Sequence, residues 1–257
     1  MESICKEGGL RIKKIFKNNA KVPLVSIITV IFNGQKYIEQ TILSVLNQTY
    51  SNIEYIIIDG NSNDATLDIV KRYDDKIDYW ISEPDNGIYD AMNKGISLAT
   101  GDIIGIINSD DWYEPYCVEE VMQVFMQHKD SIIYGLMRHI SNECPIEIYA
   151  AYPLLIPKKT LPHSTCFVPK HIYIEKGAFN LKYKSCADYH FILRMYQSGV
   201  LFVLIEKVLA NFRFGGFSWN FNSLKESFNM RYEMGYISNF QRIMKIVGLF
   251  FMSQLKK

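Results

Sequence analysis

Four short and almost uninterrupted apolar segments in the first half of the chain constrain its fold more than any other feature. They are VSIITVIF (25–32), IEYIIIDG (53–60), IDYWISE (77–83) and DIIGIIN (102–108). Strands that are apolar on both faces belong to parallel sheets covered by helices on both sides. Between them, apolar residues recur at helical spacing over about 37–48, 64–73 and 88–99. This alternation predicts an α/β fold with a mostly parallel central sheet.

The second half of the chain predicts a less regular arrangement. Its expected elements are a helix over about 115–128, a strand over 131–137, an irregular stretch to about residue 170, a helix over 187–199, a strand over 200–214 and a helical tail from about residue 221. With 257 residues and 48% hydrophobic content, the chain can bury a full core.

Charge is distributed unevenly along the chain, although its formal net value is only +1. Residues 1–21 and residues 236–257 each carry a net charge of +4, which leaves −7 on the segment between them. Basic ends on an acidic body indicate contact with anionic lipid or nucleic acid, or simply solvated tails. Both ends also contain apolar residues at helical spacing, which suits a helix lying on an anionic membrane. For the C-terminal segment, a helix packed on the core is the alternative.

The cysteines and the apolar stretches exclude several classes of protein. The five cysteines are scattered and contain no C-x-x-C pair, which argues against a disulfide framework and against a thiolate zinc site. No stretch approaches the roughly 20 apolar residues that span a bilayer. The N-terminus has no apolar core of signal-peptide length. We therefore expect a protein of the reducing cytosolic compartment that does not cross a membrane.

Polar side chains follow each of the four predicted strands. These strand ends are Phe32-Asn33, Asp59, Ser82-Glu83 and the run from Asn108 to Asp111. In open parallel sheets, ligands bind outside the carboxyl ends of the strands. The last of these ends has two adjacent carboxylates, Asp110 and Asp111, whose charges repel and are costly to desolvate. A bound cation would remove this repulsion, and a strand that simply emerges into solvent is the alternative.

The order of these segments resembles a known family. The stretches SIITVIFNG, QTILSVLNQTYSNIEYIIIDGNSNDAT and NGIYDAMNKGISLATGDIIGIINSDDWY look like the family 2 inverting glycosyltransferases with the GT-A fold. The resemblance is dense over about 24–115 and continues to about residue 218. It is closest to the bacterial branch that builds surface polysaccharides such as O-antigen and capsule. It implies a GT-A fold with a Rossmann-like nucleotide-binding half, helices on both sheet faces and a helical C-terminal tail.

The resemblance also implies roles for individual residues. The positions that match nucleotide-sugar-binding residues of the family are Thr29, Phe32, Asn33, Asp59, Asn86, Lys94, Asn108 and Ser109. Asp110 matches the D-x-D position that holds Mg²⁺ or Mn²⁺, and Asp111 is either a second ligand or a helix cap. Asp188 matches the catalytic base. The positions expected near the acceptor or the diphosphate are His163, Arg213 and Ser218.

This sequence departs from the family pattern at two of these positions. The first residue of the D-x-D motif is Asn108 rather than Asp, so the motif alone does not set how tightly a metal binds. Before the matching base position, Asp188, this chain has Ala187 where many relatives carry an acid. Lys94 is either a partner of the diphosphate or a solvated helix lysine.

The resemblance implies an inverting, metal-dependent transfer of a sugar from a nucleotide-diphosphate donor to an acceptor hydroxyl. The expected acceptor is a glycan on a lipid carrier at the inner face of the cell membrane, with no nucleic acid involved. The alternatives are a sugar-nucleotide pyrophosphorylase and a non-catalytic nucleotide-binding module. The predicted organisation is a basic extension (1–22), a donor half (23–115), an acceptor half (116–218) and an amphipathic helical tail (219–257).

Overall fold

A computed structural model describes residues 5–16, 22–214 and 221–255 of the chain. The strands are β1 Lys6–Gly8, β2 Val25–Ile31, β3 Ile53–Asp59, β4 Tyr79–Ser82, β5 Ile103–Asn108, β6 Trp112–Tyr113, β7 Ser131–Ser141, β8 Cys144–Tyr149, β9 Phe167–Pro169 and β10 Leu201–Arg213. The helices are α1 Ile38–Leu46, α2 Thr66–Lys71, α3 Ile88–Leu98, α4 Cys117–Phe125, α5 Lys170–Lys176, α6 Ala187–Gln197, α7 Phe221–Glu233 and α8 Asn239–Leu255. Two short 3-10 helices cover Pro153–Leu155 and His163–Thr165.

The strands form one sheet in the order β1-β4-β3-β2-β5-β9-β7-β10-β6, with β8 paired to β7. The neighbours β4, β3, β2 and β5 all run parallel, as do β7 and β10. The short strand β9 lies antiparallel between β5 and β7 and joins the two parallel groups. The predicted α/β fold with a mostly parallel central sheet is therefore confirmed.

The central strands are buried on both faces because each face packs against its own set of helices. In β2, Ile28 and Val30 belong to one core, whereas Ile27 and Ile31 belong to the other. Helices α3, α5 and α6 contribute to the first core, and helices α1, α2 and α4 contribute to the second. Burying such a side chain fully contributes about 1.5–3 kcal/mol. This two-sided burial explains why the strands are visible in the sequence as continuous apolar runs.

Helix α3 packs unusually close to the sheet at Gly95. A Cβ atom at this position would lie 2.4 Å from Cγ2 of Ile28 on β2. Glycine therefore sets the depth at which α3 is seated, and α3 in turn carries residues that face the candidate site.

The order of the strands reverses between β2 and β5. From β2 the chain adds β3 and β4 on one side of the sheet, and it then crosses to place β5 on the other side of β2. Such a reversal leaves a crevice at the carboxyl ends of the two strands, which is where open α/β sheets bind ligands. The fold thus places the residues after β2 and β5 around one cavity.

The N-terminal segment, which the sequence predicts to be a basic extension, joins this sheet in part. Strand β1 pairs antiparallel with β4. Arg11 forms an ion pair with the buried Glu54, and Lys13 pairs with Asp74 at 2.6 Å. Two of the basic side chains at this end are therefore engaged by the body of the protein.

Several elements were not predicted from the sequence. They are the short strands β1, β6 and β9, the hairpin strand β8 and helix α5, and β7 is longer than predicted. None of the helices in the described parts of the chain is long and apolar enough to cross a membrane.

Candidate active site

A cavity of about 920 Å³ opens at the carboxyl ends of β2 and β5, where the strand order reverses. Its walls come from the end of β2, from the segments after β2, β3, β4 and β5, from helix α3, and from two positions later in the chain. The lining residues are Val30, Ile31, Phe32, Asn33, Gly34, Lys36, Tyr37, Gly60, Asp85, Gly87, Ile88, Ala91, Asn108, Ser109, Asp110, Lys184 and Phe212. Five of the predicted site residues lie in this wall: Phe32, Asn33, Asn108, Ser109 and Asp110.

The segment after β2 presents an aromatic ring and an amide to the cavity. Phe32 is 65% exposed, which leaves its ring available to a ligand. Asn33 has a positive φ of 53°, a conformation that asparagine tolerates better than most residues. Its Oδ1 accepts a hydrogen bond from the amide of Asn63 at 3.0 Å, and its amide donates to Oγ of Ser62 at 2.8 Å. The turn is therefore fixed by the loop after β3.

The segment after β5 supplies oxygen atoms to the same cavity. Oδ1 of Asn108 is buried and has no hydrogen-bond partner among the residues described. A buried polar oxygen of this kind is costly unless a ligand satisfies it. Burial raises the pKa of Asp110 above its ordinary value, although the nearby charge of Arg213 acts in the opposite direction. Both features indicate a site that is completed by a positively charged or hydrogen-bonding ligand.

The second carboxylate, Asp111, lies in a different environment. It is fully buried, and its two oxygens accept hydrogen bonds from Oγ of Ser164 at 2.9 Å and from the amide of Arg213 at 3.2 Å. Burial and the charge of Asp110 together raise its pKa well above the ordinary value. The structure therefore places Asp110 in the cavity wall and Asp111 behind it, as a link between β5 and β10.

Arg213, at the end of β10, has its guanidinium fully occupied by the protein. The group lies 4.0 Å from the ring centroid of Tyr37 and 4.4 Å from that of Trp112. It donates to the backbone carbonyl of Asp110, and to Oε1 of Gln40 at 2.6 Å. This arrangement places Arg213 beside the Asp110 backbone rather than in the cavity wall.

Two predicted donor-binding residues are buried outside the cavity wall. The hydroxyl of Thr29 lies 3.0 Å from the hydroxyl of Tyr55, and the Thr29 side chain is inaccessible to solvent. The carboxylate of Asp59 accepts hydrogen bonds from Oγ of Ser82 at 2.6 Å and from the amide of Ser62 at 3.1 Å. Its position at the end of β3 fits the prediction, but its oxygens are used to hold the neighbouring loops.

Two further predicted residues lie near the start of α3. Nζ of Lys94 forms an ion pair with Glu83 at 2.9 Å and donates to the carbonyl of Pro84 at 3.1 Å. Asn86 is exposed, and its backbone and side-chain nitrogens both donate to Asp90. Neither side chain is part of the main cavity wall, and the ion pair of Lys94 is local to the protein.

The predicted base, Asp188, lies in the first turn of α6 and is half-buried. The hydroxyl of Tyr89, on α3, donates a hydrogen bond to its Oδ1 at 2.7 Å. Burial, with the adjacent charge of Asp188, raises the pKa of Tyr89 well above its ordinary value, so this hydroxyl keeps its proton. Tyr89 therefore orients the carboxylate from the same helix that lines the cavity.

His163 lies close to this carboxylate. Burial lowers the pKa of His163, and the charge of Asp188 acts in the opposite direction. Its ring contacts Phe179 edge-on, with 5.7 Å between the centroids. Ser218, the remaining predicted residue, lies outside the described residues.

The sequence reasoning missed several residues of the cavity wall. They are Lys36, Tyr37, Asp85, Lys184 and Phe212. Lys36 and Tyr37 lie in the loop between β2 and α1, and Asp85 stands beside Asn86, so position along the chain could have indicated these three. Lys184 and Phe212 come from the second half of the chain, and only the folded structure brings them to this cavity.

No group of three or more histidine, cysteine or acidic side chains that could hold a metal occurs in residues 5–16, 22–214 and 221–251. The candidate ligands are the carboxylate of Asp110 and the unpartnered Oδ1 of Asn108. These are hard oxygen donors, and Mg²⁺ is commonly bound by one or two carboxylates together with substrate phosphates. The donor set therefore fits a divalent metal that is completed by a ligand.

Comparison with known proteins shows a consistent set of similarities. The sequence profile of Glycosyl transferase family 2 matches residues 26–201. An uncharacterized glycosyltransferase of Mycobacterium tuberculosis is 33% identical over 181 residues, which cover 67% of this chain and 68% of that protein. A PGL/p-HBAD biosynthesis glycosyltransferase of Mycobacterium bovis is 29% identical over 205 residues, which cover 76% of this chain and 79% of that protein.

Solved structures share the fold at low sequence identity. The crystal structure of S. aureus TarS 1–349 with UDP-GlcNAc has a TM-score of 0.68 and 16% identity, and it covers 88% of this chain and 71% of that one. Another crystal structure of TarS 1–349 has a TM-score of 0.65 and 17% identity; the match covers 80% of this chain and 63% of that chain.

Proposed function

The chain belongs to glycosyl transferase family 2, and from this premise we propose that it transfers a sugar from a nucleotide-diphosphate donor to an acceptor hydroxyl with inversion. The observation that carries the proposal is the cavity at the reversal of the strand order, which gathers Phe32, Asn33 and Asp110 in one wall. This wall offers an aromatic face and an amide for a base, and a carboxylate for a metal that bridges to phosphate.

The donor would lie across the ends of β2 and β5. The crystal structures of TarS with UDP and with UDP-GlcNAc support a nucleotide sugar as the ligand of this fold. Lys36 and Lys184 lie in the cavity wall, and their cationic heads would favour a diphosphate. Thr29 and Lys94 take no direct part in this proposal, because their polar groups are engaged elsewhere.

Asp110 and Asn108 would hold Mg²⁺ or Mn²⁺ together with the donor. When bound, such an ion stabilises the negative charge of a departing diphosphate. This chain would supply two oxygen donors at the end of β5. Oδ1 of Asn108 has no hydrogen-bond partner among the described residues, and burial disfavours the negative charge of Asp110, so a bound cation would stabilise both. Asp111 would act on Asp110 through the backbone, since its own oxygens accept hydrogen bonds from Ser164 and Arg213.

Asp188 would be the general base that takes the proton of the acceptor hydroxyl. Tyr89 engages Oδ1 of Asp188 and fixes its orientation, which leaves Oδ2 to receive the proton. The activated oxygen would attack the anomeric carbon from the face opposite the diphosphate, which inverts the configuration. A positioned general base of this kind contributes typically 10²–10⁴-fold to the rate.

A panel of nucleotide sugars, assayed with Mn²⁺ or Mg²⁺, tests the proposal. One donor should raise the melting temperature and release its nucleoside diphosphate, and a ligand at 100 times its Kd adds about 2.7 kcal/mol of stability. Formation of a nucleoside triphosphate from a nucleotide sugar and pyrophosphate would instead indicate a pyrophosphorylase. Binding without consumption of any donor, in the presence of glycan acceptors, would indicate a non-catalytic module.

The proposed acceptor is a glycan on a lipid carrier, in the assembly of a bacterial surface polysaccharide or glycolipid at the cytoplasmic face of the cell membrane. The similarity to the PGL/p-HBAD biosynthesis glycosyltransferase supports a glycolipid product.

Helix α8 supports contact with an anionic membrane. Its exposed apolar side chains are Phe240, Ile243, Met244, Val247, Phe250 and Phe251. Residues 236–257 contain four basic residues and no acid, a combination that favours the surface of anionic lipid.

Vesicle sedimentation tests the membrane contact. The double substitution of Phe240 and Phe251 by Ser removes two rings that are 72% and 62% exposed, so it should preserve the fold. It should reduce binding to vesicles that contain anionic lipid. Ile174→Ser, at a 73% exposed position on α5, is the matched control and should bind like the wild type. Unchanged binding of the double variant would contradict the membrane proposal.

A further inference from the structure

Helix α7 lies beyond residues 26–201, the part of the chain that matches the family, yet it holds the segment that leads into Asp188. The link is Glu226. Its Oε1 accepts a hydrogen bond from the amide of Lys184 at 2.8 Å, and its Oε2 accepts from the amide of Ser185 at 2.7 Å. The hydroxyl of Ser185 donates to the same Oε2 at 2.7 Å. One carboxylate thus satisfies two consecutive backbone amides just before α6 begins.

The charge of Glu226 is stabilised in this position. Burial alone would raise its pKa, but the hydrogen bonds from Lys184 and Ser185 outweigh burial and hold the pKa below its usual value. Hydrogen bonds from backbone amides to an ionised carboxylate are roughly twice as strong as those between neutral groups. The contact is therefore stronger than an ordinary link between a loop and a helix.

A second glutamate on α7, Glu233, contacts the two residues that precede Lys184 in the chain. Glu233 lies seven residues after Glu226, which places both on one side of the helix. Its Oε2 accepts hydrogen bonds from Nζ of Lys182 and from the hydroxyl of Tyr183, both at 2.7 Å. Glu233 thus engages side chains, whereas Glu226 engages the backbone.

The segment held by α7 has two ends that matter for the proposed reaction. Lys184 lies in the wall of the donor cavity. Cys186 is the residue before the first turn of α6, and Asp188 lies in that turn. The side chain of Asp188 is oriented by Tyr89 on α3, whereas the backbone just upstream is held by Glu226 on α7. The carboxylate of Asp188 and the backbone shortly before it in the chain are thus held from two different helices.

We propose that Glu226 is a positioning residue for sugar transfer, which fixes the backbone at Lys184 and Ser185 and thereby sets the place of Asp188 relative to the donor cavity. The proposal rests on the function proposed above, because it assigns Glu226 an effect through the base. It extends the catalytic unit to α7, outside the segment that the family shares. A displacement of about 1 Å in a reacting group can lower a rate by about 10²-fold.

Steady-state kinetics with Glu226→Ala provide the first test, using the nucleotide sugar that gives the highest rate in the panel. We expect kcat to fall by about 10- to 100-fold, with the Kd for the nucleoside diphosphate changed by less than about threefold. Glu226→Gln should fall between wild type and Glu226→Ala, because its one carbonyl oxygen can accept only part of the hydrogen bonds. Lys225→Ala, at the exposed position next to Glu226 on the same helix, is the matched control and should retain most of kcat.

A double-mutant cycle with Asp188→Asn separates positioning from general loss of structure. If Glu226 acts through Asp188, Glu226→Ala should lower the rate of the Asp188→Asn enzyme by less than about twofold. Equal losses in both backgrounds, or a kcat of Glu226→Ala equal to the wild-type value, would overturn the proposal.

Hydrogen–deuterium exchange tests the contact of Glu226 with the amides of Lys184 and Ser185, here called the clamp, without any reaction. Amides in the peptide around residues 184–190 should exchange faster in Glu226→Ala than in wild type, with exchange in β2, β3 and β5 unchanged. Unchanged exchange at 184–190 would refute the clamp whether or not the wild type transfers sugar. Faster exchange there in a protein that transfers no sugar would leave the clamp in place, and the proposed function would be the part that failed.

Discussion

The region that forms the cavity and the region that carries Asp188 position their side chains in different ways. Around the cavity, which we propose binds the donor, three of the wall residues follow the ends of adjacent parallel strands, with Phe32 and Asn33 after β2 and Asp110 after β5. The proposed base, Asp188, lies in the first turn of helix α6. It is held by Tyr89, 99 residues earlier in the chain, and its upstream backbone is held by Glu226 from α7.

This difference predicts that donor binding and the rate of sugar transfer depend on different groups of residues. Regular sheet geometry fixes the donor side, so donor binding should depend on a few strand-end groups. Long-range hydrogen bonds fix the base, so its position can change while the donor cavity stays intact. Donor affinity and transfer rate should then respond to different substitutions.

The largest effect is expected on the base-bearing side. Asp188→Asn preserves the size of the side chain but cannot take a proton from the acceptor. We expect transfer to fall by a factor of about 10² or more, the usual scale for a lost general base. The measurement is the initial rate of product formation at saturating donor. A transfer rate near that of the wild type, in a folded variant that binds donor, would place the base elsewhere.

A smaller effect, on binding, is expected on the donor side. Asp110→Ala removes the anionic oxygen donor of the cavity and should weaken metal-dependent binding of a nucleoside diphosphate by at least about tenfold, or 1.4 kcal/mol. Calorimetric titration of the nucleoside diphosphate that corresponds to the donor found in the panel, with and without Mn²⁺, measures this change. Asp110→Ala should lose most of the response to Mn²⁺, whereas Asp188→Asn should keep it. An unchanged Mn²⁺ response in Asp110→Ala would contradict the proposed metal site.

The smallest effect on donor binding is expected at Thr29. The structure places this side chain in the core beside Tyr55 rather than in the cavity. Thr29→Val should leave the Kd for the nucleoside diphosphate unchanged. It should lower stability by about 1–3 kcal/mol, because the Tyr55 hydroxyl loses its buried partner. A clear loss of nucleoside diphosphate binding at an unchanged melting temperature would show that Thr29 contributes to donor binding after all.

The regular part of the fold could be predicted because two-sided burial leaves a direct trace in the sequence. Strands β2, β3 and β5 are continuous apolar runs, and their polar ends mark the cavity. Strands β8 and β9 leave a weaker trace, since β8 is an exposed hairpin strand and β9 has only three residues.

The candidate site was predictable where it depends on strand ends, and less so where it depends on side-chain direction. Thr29 shares the face of Ile27 and Ile31, so the alternation of side chains along β2 already pointed it toward the core. The ion pair of Lys94 with Glu83 depends on how α3 is seated on the sheet. The contact of Glu226 with Lys184 joins residues 42 positions apart, and no periodic pattern in the sequence indicates it.

The measurement that tests this account most directly is the anomeric configuration of the product, determined by NMR on the sugar transferred by the wild-type protein. A donor held at the strand ends, with a separate base that acts only on the acceptor, requires a single displacement at the anomeric carbon. The account therefore predicts a product whose configuration is inverted relative to the donor. A product with retained configuration would contradict the assigned role of Asp188 and the dependence of donor binding and transfer on different groups of residues.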